Sequence, residues 1–293
     1  MNILTFDIEE WYLEREYFGN HAEKFKVYDI YLDKILARLE EQGFKATFFC
    51  VGGMAKHFPE VIKKIDAAGH EVGCHSYKHV WLNKMTPEDL YKDTYIAVDA
   101  LEQCLGKKVK SYRAPAFTIG MDNKYALEVL YDCGIRRDAS IFPAERDFGG
   151  FSQFGGKKPT LVFYKQTKIK EFPICTTRFL GKDFVYSGGG YFRFFPLSFV
   201  RRAMSKSDYT MTYFHISDLI LDSTPVMSRA EYEAYFKQPG TLKNRYLRHL
   251  KSNLGKDSAF DKLMRLVDLE EFINLEQADQ IINWETVPSV VLK

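Results

Sequence analysis

Asp7, Glu9 and Glu10 close an apolar run, Ile3-Leu4-Thr5-Phe6, near the start of the chain. A buried strand that stops in acids delivers them to one end of a sheet, where α/β folds gather reactive groups. Alternate residues of a strand share a face, so Asp7 and Glu9 are expected to point the same way. Two histidines, His75 and His79, follow a second short apolar run, Glu71-Val72-Gly73-Cys74. Four residues apart, they are expected to face one way on a helical turn and to reach a single cation. One carboxylate with two imidazoles leaves positions open for water, which is the donor set of a catalytic rather than a structural metal site. A cation there acidifies water and polarises a carbonyl oxygen, and a nearby unligated carboxylate can serve as general base. On that reading Asp7 is the base and Glu9 the ligand. The plainer reading of Asp7, Glu9 and Glu10 alone is a strand end with a solvated acidic turn.

The elements around these residues alternate. A polar, aromatic connector is expected from Trp11 to about Tyr28. A helix carrying Tyr31, Ile35, Leu36 and Leu39 then ends at Gly43. A strand spans Lys45 to Val51, Gly52-Gly53 breaks it, and Pro59 opens the next helix. Glu71 to Cys74 is a strand, Thr86-Pro87-Glu88-Asp89 caps a helix, and Lys110 to Tyr112 is a strand again. After a helix from Asp122, the strand from Ile135 leads to Asp138, and a later one, Tyr209 to His215, also ends in polar residues. Strand–helix alternation of this kind predicts a mainly parallel sheet or barrel. Helices are expected around 229–250 and 258–268 and near 278–282. No repeat or linker divides the chain. A single domain over 1–293 is expected, with the chemistry-bearing core at 3–218 and a C-terminal helical extension at 219–293.

The 293 residues hold 41 basic and 39 acidic side chains, a balance that asks for neither nucleic acid nor an anionic membrane as partner. The aromatic share of 15% suits a thick core and a groove that stacks on sugar rings. Cys50, Cys74, Cys104, Cys133 and Cys175 are odd in number and form no CxxC pair, so reduced thiols are expected. Cys74 adjoins His75 but is expected to be a core thiol. No signal peptide and no membrane-spanning run is visible, which predicts a cytoplasmic protein.

Five segments in order resemble the polysaccharide deacetylases, the NodB-homology enzymes of carbohydrate esterase family 4. They are Asp7-Ile8-Glu9, His75-x-x-x-His79, Arg113-Ala114-Pro115-Ala116-Phe117, Asp138-Ala139-Ser140-Ile141-Phe142-Pro143 and Tyr213-Phe214-His215. Gly188-Gly189-Gly190-Tyr191-Phe192-Arg193 is similar to a subgroup associated with exopolysaccharide loci. The resemblance implies a distorted (β/α) barrel and metal-dependent hydrolysis of an N-acetyl or O-acetyl group on a sugar; with no export signal visible, a nucleotide- or lipid-linked precursor is among the expected substrates. It implies Asp7 as base, and Glu9, His75 and His79 as ligands of one divalent metal, Zn2+ first, with Co2+, Ni2+, Fe2+ or Mn2+ able to use the same donors. The backbone N–H of Ala116 is implied to stabilise the oxyanion, and His215 to protonate the leaving group. Arg113 is implied to pair with Asp7, and Asp138 to orient His215 and raise its pKa. The family's first motif carries adjacent aspartates. Here Ile8 stands at the second position, so Glu10 stays open as the ligand beside Glu9. Hydrolysis of another non-peptide C–N bond, as in allantoinases, and a catalytically silent carbohydrate-binding relative are the competing readings.

Overall fold

The computed structural model describes residues 1–144, 149–179, 182–221, 226–236 and 238–293. The first half alternates as β1 (Asn2–Ile3), β2 (Thr5–Ile8), α1 (Glu10–Tyr17), α2 (Ala22–Gln42), β3 (Thr47–Cys50), α3 (Met54–His57), α4 (Pro59–Ala67), β4 (Glu71–Cys74), α5 (Pro87–Leu105), β5 (Ser111–Tyr112), α6 (Tyr125–Asp132) and β6 (Arg137–Asp138). The strands β2, β3 and β4 are buried at every position, as strands covered on both faces must be. Local chemistry sets the helix ends. Gly43 and Gly106 adopt the left-handed conformation that terminates α2 and α5, and the Thr86 side chain accepts from Asp89 N–H to start α5.

The second half is less regular. It contains β7 (Thr160–Tyr164), β8 (Thr167–Glu171), the hairpin β9 (Thr176–Phe179) and β10 (Lys182–Val185), then α7 (Gly189–Phe194), α8 (Leu197–Ser205), β11 (Thr210–Met211) and β12 (Phe214–His215). Helices α9 (Arg229–Phe236), α10 (Leu242–Asn253), α11 (Ala259–Leu269) and α12 (Leu275–Ile281) and strand β13 (Ser289–Leu292) complete the chain.

Among the described residues, nine strands form one sheet in the order β12-β2-β3-β4-β5-β6-β8-β7-β13, parallel except where β7 meets β8. Its register puts Ile8, Cys50, Cys74, Tyr112, Asp138 and Glu171 side by side in one row across six strands. Whatever follows those residues therefore emerges at one rim. The segments on either side of the β9–β10 pair carry the wall on from β8 towards β12. Phe172 and Ile174 donate to the carbonyls of Asp138 and Ile141, Ser187 Oγ donates to Met211 O at 2.7 Å, and Gly188 bridges Tyr213. This is the expected distorted (β/α) barrel.

The opposite rim is closed by the C-terminal segment. Leu275 N–H donates to Thr47 Oγ1 at 2.8 Å and Glu276 N–H to Glu71 Oε2 at 2.9 Å, so the start of α12 sits on the first residues of β3 and β4. Glu71 also accepts from Arg137 Nη2 at 3.0 Å.

Four expectations change. The segment from Trp11 to Tyr28 is no connector: α1 and the start of α2 occupy it. Glu10-Trp11-Tyr12-Leu13-Glu14-Arg15-Glu16-Tyr17 contains no Gly or Pro and is rich in helix formers, and Gly19 and Asn20, both at positive φ, separate it from α2. The helix expected over 229–250 is two helices, because Thr241 caps a new one after Pro239-Gly240; residue 237 lies outside the described residues. The extension is not purely helical, since β13 adds to β7. The chain between Tyr209 and His215 splits into β11 on β1 and β12 on β2. All five cysteines are free thiols, and no helix among the described residues is long and apolar enough to cross a membrane.

His70, buried at the end of α4, accepts from Ala46 N–H at 3.2 Å. Burial, helped by the Lys45 ammonium, pushes its pKa down from 6.5 to about 4. In this window the unfolded chain binds a proton that the folded chain refuses, so acid favours unfolding. Stability is expected to fall by about 3 kcal/mol from this group as pH drops from 6.5 to 4. Urea midpoints measured across that window should fall more steeply for the wild type than for His70→Gln, and equal slopes would refute the assignment.

Candidate active site

Glu9 directly follows β2 and caps α1 by position, with its carboxylate turned across the barrel rim. Its Oε2 lies 2.6 Å from His79 Nε2 and 3.4 Å from His75 Nε2, and it has no well-aligned hydrogen bond. Ligand atoms of Glu9, His75 and His79 all lie within 4.8 Å of one another. His75 Nδ1 is 2.7 Å from Arg113 O, so a proton on Nδ1 is donated there and Nε2 is left as a lone-pair donor. These features fit a divalent cation: a buried orphan carboxylate oxygen, two imidazoles facing it, and one ring fixed from behind. Glu10 is not brought to the histidines. Its Oε1 accepts from Ser217 N–H at 2.7 Å, and burial, together with the Glu9 charge, raises its pKa to about 7.

The histidines do not lie on a helix. Ser76 and His79 both have positive φ, 59° and 58°, so His75–His79 is an irregular turn. The Ser76 hydroxyl takes the His79 N–H at 2.9 Å, and Asp93 of α5 takes the Tyr77 N–H at 2.8 Å. Tertiary hydrogen bonds, not helical periodicity, bring the two rings to 5.1 Å between centroids.

Asp7 and Arg113 form a buried pair, Oδ1 to Nη1 at 2.8 Å, with the Arg113 side chain fully shielded from solvent. Arg113 also donates to Thr5 Oγ1 at 2.6 Å and to Ala139 O at 3.2 Å. Its guanidinium lies 4.3 Å from the Phe49 ring centroid. Phe49 can lie there because Gly73 faces it: a Cβ at Gly73 would come within 2.6 Å of the ring.

His215 pairs with Asp7 in strand register, which sets the ring beside both carboxylates. Its Nε2 is 3.8 Å from Asp7 Oδ2 and 3.7 Å from Glu9 Oε1. Burial favours the neutral ring, but Glu9, Asp218 and Asp7 outweigh it and raise the pKa to about 10. Glu9 responds in kind. Burial opposes its ionisation, yet His79, His215 and His75 hold its carboxyl well below the usual range.

The residue that holds His215 is Asp218, not Asp138. Asp218 Oδ2 is 2.9 Å from His215 Nδ1, and its Oδ1 lies 3.4 Å from Arg193. Asp138 instead accepts from Ser140 Oγ at 2.5 Å and faces Glu171, its register neighbour. Burial pushes Asp138 up to about 6 and Glu171 well above the carboxylate range, where the Asp138 charge adds to the effect. Asp138 thus belongs beneath the site, in the Arg113 environment. Sequence reasoning missed Asp218, although the His-x-x-Asp spacing on a tight turn was available to read. It also assigned Arg193 no role, because the Gly188–Arg193 segment offered only a subgroup resemblance and no partner for the guanidinium. Gly188 is a packing residue: a Cβ there would lie 2.0 Å from Tyr213 O.

Ala116 and Phe117 both adopt positive φ, 52° and 55°, in the short turn Pro115–Phe117. Two adjacent non-glycine residues in that region mark a backbone held against its preference. Ala116 packs on a small apolar cluster of Trp81, Tyr232 and Phe236, so α9 of the extension reaches this side of the rim.

The polysaccharide deacetylase family model matches residues 4–137, and a domain of unknown function, DUF3473, matches 139–278. The N-terminal part of the chain, a little under half of its length, is thus similar to the polysaccharide deacetylase family. The boundary between the two matches falls inside the sheet: Asp7, Glu9, His75, His79 and Arg113 lie in the first, His215 and Asp218 in the second. A peptidoglycan-N-acetylglucosamine deacetylase of Bacillus cereus is 34% identical over 97 residues, 32% of this chain and 35% of that one. A chitooligosaccharide deacetylase of Azorhizobium caulinodans is 30% identical over 99 residues, 33% of this chain and 46% of that one. The matches thus span well under two thirds of these relatives. A crystal structure from Mycobacterium smegmatis, described as a candidate polysaccharide deacetylase, shares the fold with a TM-score of 0.64 at 17% identity, covering 100% of this chain and 93% of that one.

Calorimetric titration with Zn2+ is expected to saturate at a single site. Glu9→Gln should weaken it more than about 100-fold, whereas Glu10→Gln should leave it nearly unchanged. Equal losses in both variants would show that the carboxylate has been misassigned.

Proposed function

We propose that this chain is a metal-dependent carbohydrate deacetylase that removes an acetyl group from an N-acetylated or O-acetylated sugar. The observation that carries this reading is the convergence of the Asp7–Arg113 and Asp218–His215 pairs at one rim with Glu9, His75 and His79. Glu9, His75 and His79 are the residues suited to hold a divalent cation, which would supply Lewis acidity toward the acetyl oxygen and lower the pKa of water. Asp7, fixed by Arg113, is placed to take the proton from the attacking water. Arg113 holds one carboxylate oxygen, and Oδ2 faces the site near His215.

His215 carries a proton by virtue of Asp218, Glu9 and Asp7, and gives it to the departing amine or alkoxide. Asp218 on Nδ1 directs Nε2 into the site. The Ala116 N–H is the donor assigned to the developing oxyanion. Residues 1–293 act in this reading as a single unit, because base and acid come from opposite ends of the motif-bearing core, at 7 and 215.

Acetate release from N-acetylglucosamine oligomers and O-acetylated xylan, measured beside ring opening of allantoin to allantoate, is the direct test. Release from an acetylated sugar, abolished by chelator and restored by one divalent metal, is expected. Asp7→Asn and His215→Ala should each lower kcat by about 1,000-fold. Asp218→Asn should lower it by about 100-fold with little change in KM, whereas Asp138→Asn should not mimic that split. Turnover of allantoin alone would overturn the substrate class, and a metal-loaded, folded protein that turns over none of the three would overturn the enzyme reading.

A further inference from the structure

Helix α10 is packed the wrong way round for a helix of a water-soluble surface. Its polar side chains turn toward the protein: Arg245 Nη1 donates to Met227 O at 2.9 Å, Asn244 Nδ2 donates to Pro239 O at 3.0 Å, and the Arg248 guanidinium lies 4.7 Å from the Phe236 ring centroid. Its outer face carries Leu242, Tyr246, Leu247 and Leu250, and Leu254 follows one turn on; Leu242, Leu250 and Tyr246 are 64%, 63% and 57% exposed. No residue of α10 is buried. Phe194, 66% exposed, extends this surface at the C-terminal end, where Gly255 packs against Arg193 O.

We propose that this face docks on an anionic phospholipid surface. Charge selects that occupant. Lys243 and Lys251 are the charged residues of the exposed face, α10 holds four Lys and Arg in all, and it holds no acid. Apolar side chains that enter the headgroup boundary with lysines reaching to phosphates is the pattern of an interfacial helix. A second copy of the chain is a poor occupant, since a symmetric pairing of two such faces sets lysine against lysine. The near-neutral net charge of the whole chain hides this local excess of positive charge. The face is tied to the chemistry at one point. Arg193 donates to the carbonyls of Lys251 and Ser252 and lies beside Asp218, the carboxylate that holds His215. Docking would bring the rim of the barrel to glycans held at a membrane. The surface itself does not depend on the reading of the active site.

Co-sedimentation of the full chain with vesicles tests it without any turnover. Binding to vesicles of phosphatidylcholine mixed with phosphatidylglycerol, weakened by salt and absent with phosphatidylcholine alone, is the expected result. Lys243→Gln/Lys251→Gln should lower partitioning by about 30-fold, and Leu242→Ser/Tyr246→Ser/Leu250→Ser should abolish it with circular dichroism unchanged. If the triple variant fails to fold, the lysine variant decides. Wild-type protein left in the supernatant overturns the proposal. So does binding that neither variant weakens, or a dimer in sedimentation velocity that the triple variant dissociates.

Discussion

A guanidinium buried in the middle of a barrel is the constraint on which the rest of the rim depends. Removing Arg113 from water is costly unless its charge and donors are met inside. Asp7, Thr5 and Ala139 meet the charge and the Nε and Nη1 donors from β2 and from the chain just after β6, the Phe49 ring covers one face, and Nη2 has no hydrogen-bond partner among the described residues. The backbone carbonyl of the same residue orients His75. One residue therefore couples the strand that carries Asp7, the strand that precedes the histidines and the strand that ends at Asp138. Phe49 reaches it only because Gly73 leaves room. Beneath it, Asp138 and Glu171 are buried together, and the burial that raises both pKa values limits the negative charge set against Arg113.

Register does the remaining positioning. In a parallel sheet a residue at a strand end lies beside the residue at the next strand end, so one row of pairings delivers Glu9, His75 and Arg113 to one rim. His215 arrives by the same rule on the other side of β2, opposite Asp7. The distance between His215 and the two carboxylates follows from strand pairing rather than from any local turn. What strand pairing does not set is the direction of the ring, and Asp218 supplies that from the turn just after β12.

The C-terminal segment is part of the barrel in a physical sense. The start of α12 satisfies Glu71 and Thr47 at the closed rim, β13 extends the sheet, and α9 packs beside Ala116 at the open rim. Helix α10 lies between these anchors and shows its apolar side outward. Its polar side, which would ordinarily face water, contacts α9 and the chain around Met227.

Much of this was legible in the sequence, because buried parallel strands are short apolar runs and their ends are marked by a change of chemistry. The runs ending at Asp7, Cys74 and His215 announced three of the rim positions, and Pro59, Thr86 and the glycines at 43 and 106 announced helix boundaries. Residue type alone separated carboxylate and imidazole donors from the apolar runs that carry them. The tertiary structure decided what depends on partners distant in the chain. It placed Glu9 rather than Glu10 at the histidines, since Ser217 N–H claims Glu10. It made the His75–His79 segment a turn, since Asp93 and the Ser76 hydroxyl hold it against helical geometry. It gave His215 to Asp218, because Asp138 lies in the row below with Ser140 and Glu171. Spacing along a chain reports which residues can share a face; which of them share a hydrogen bond is set by the closing of the barrel, which brings residues some 200 positions apart into contact.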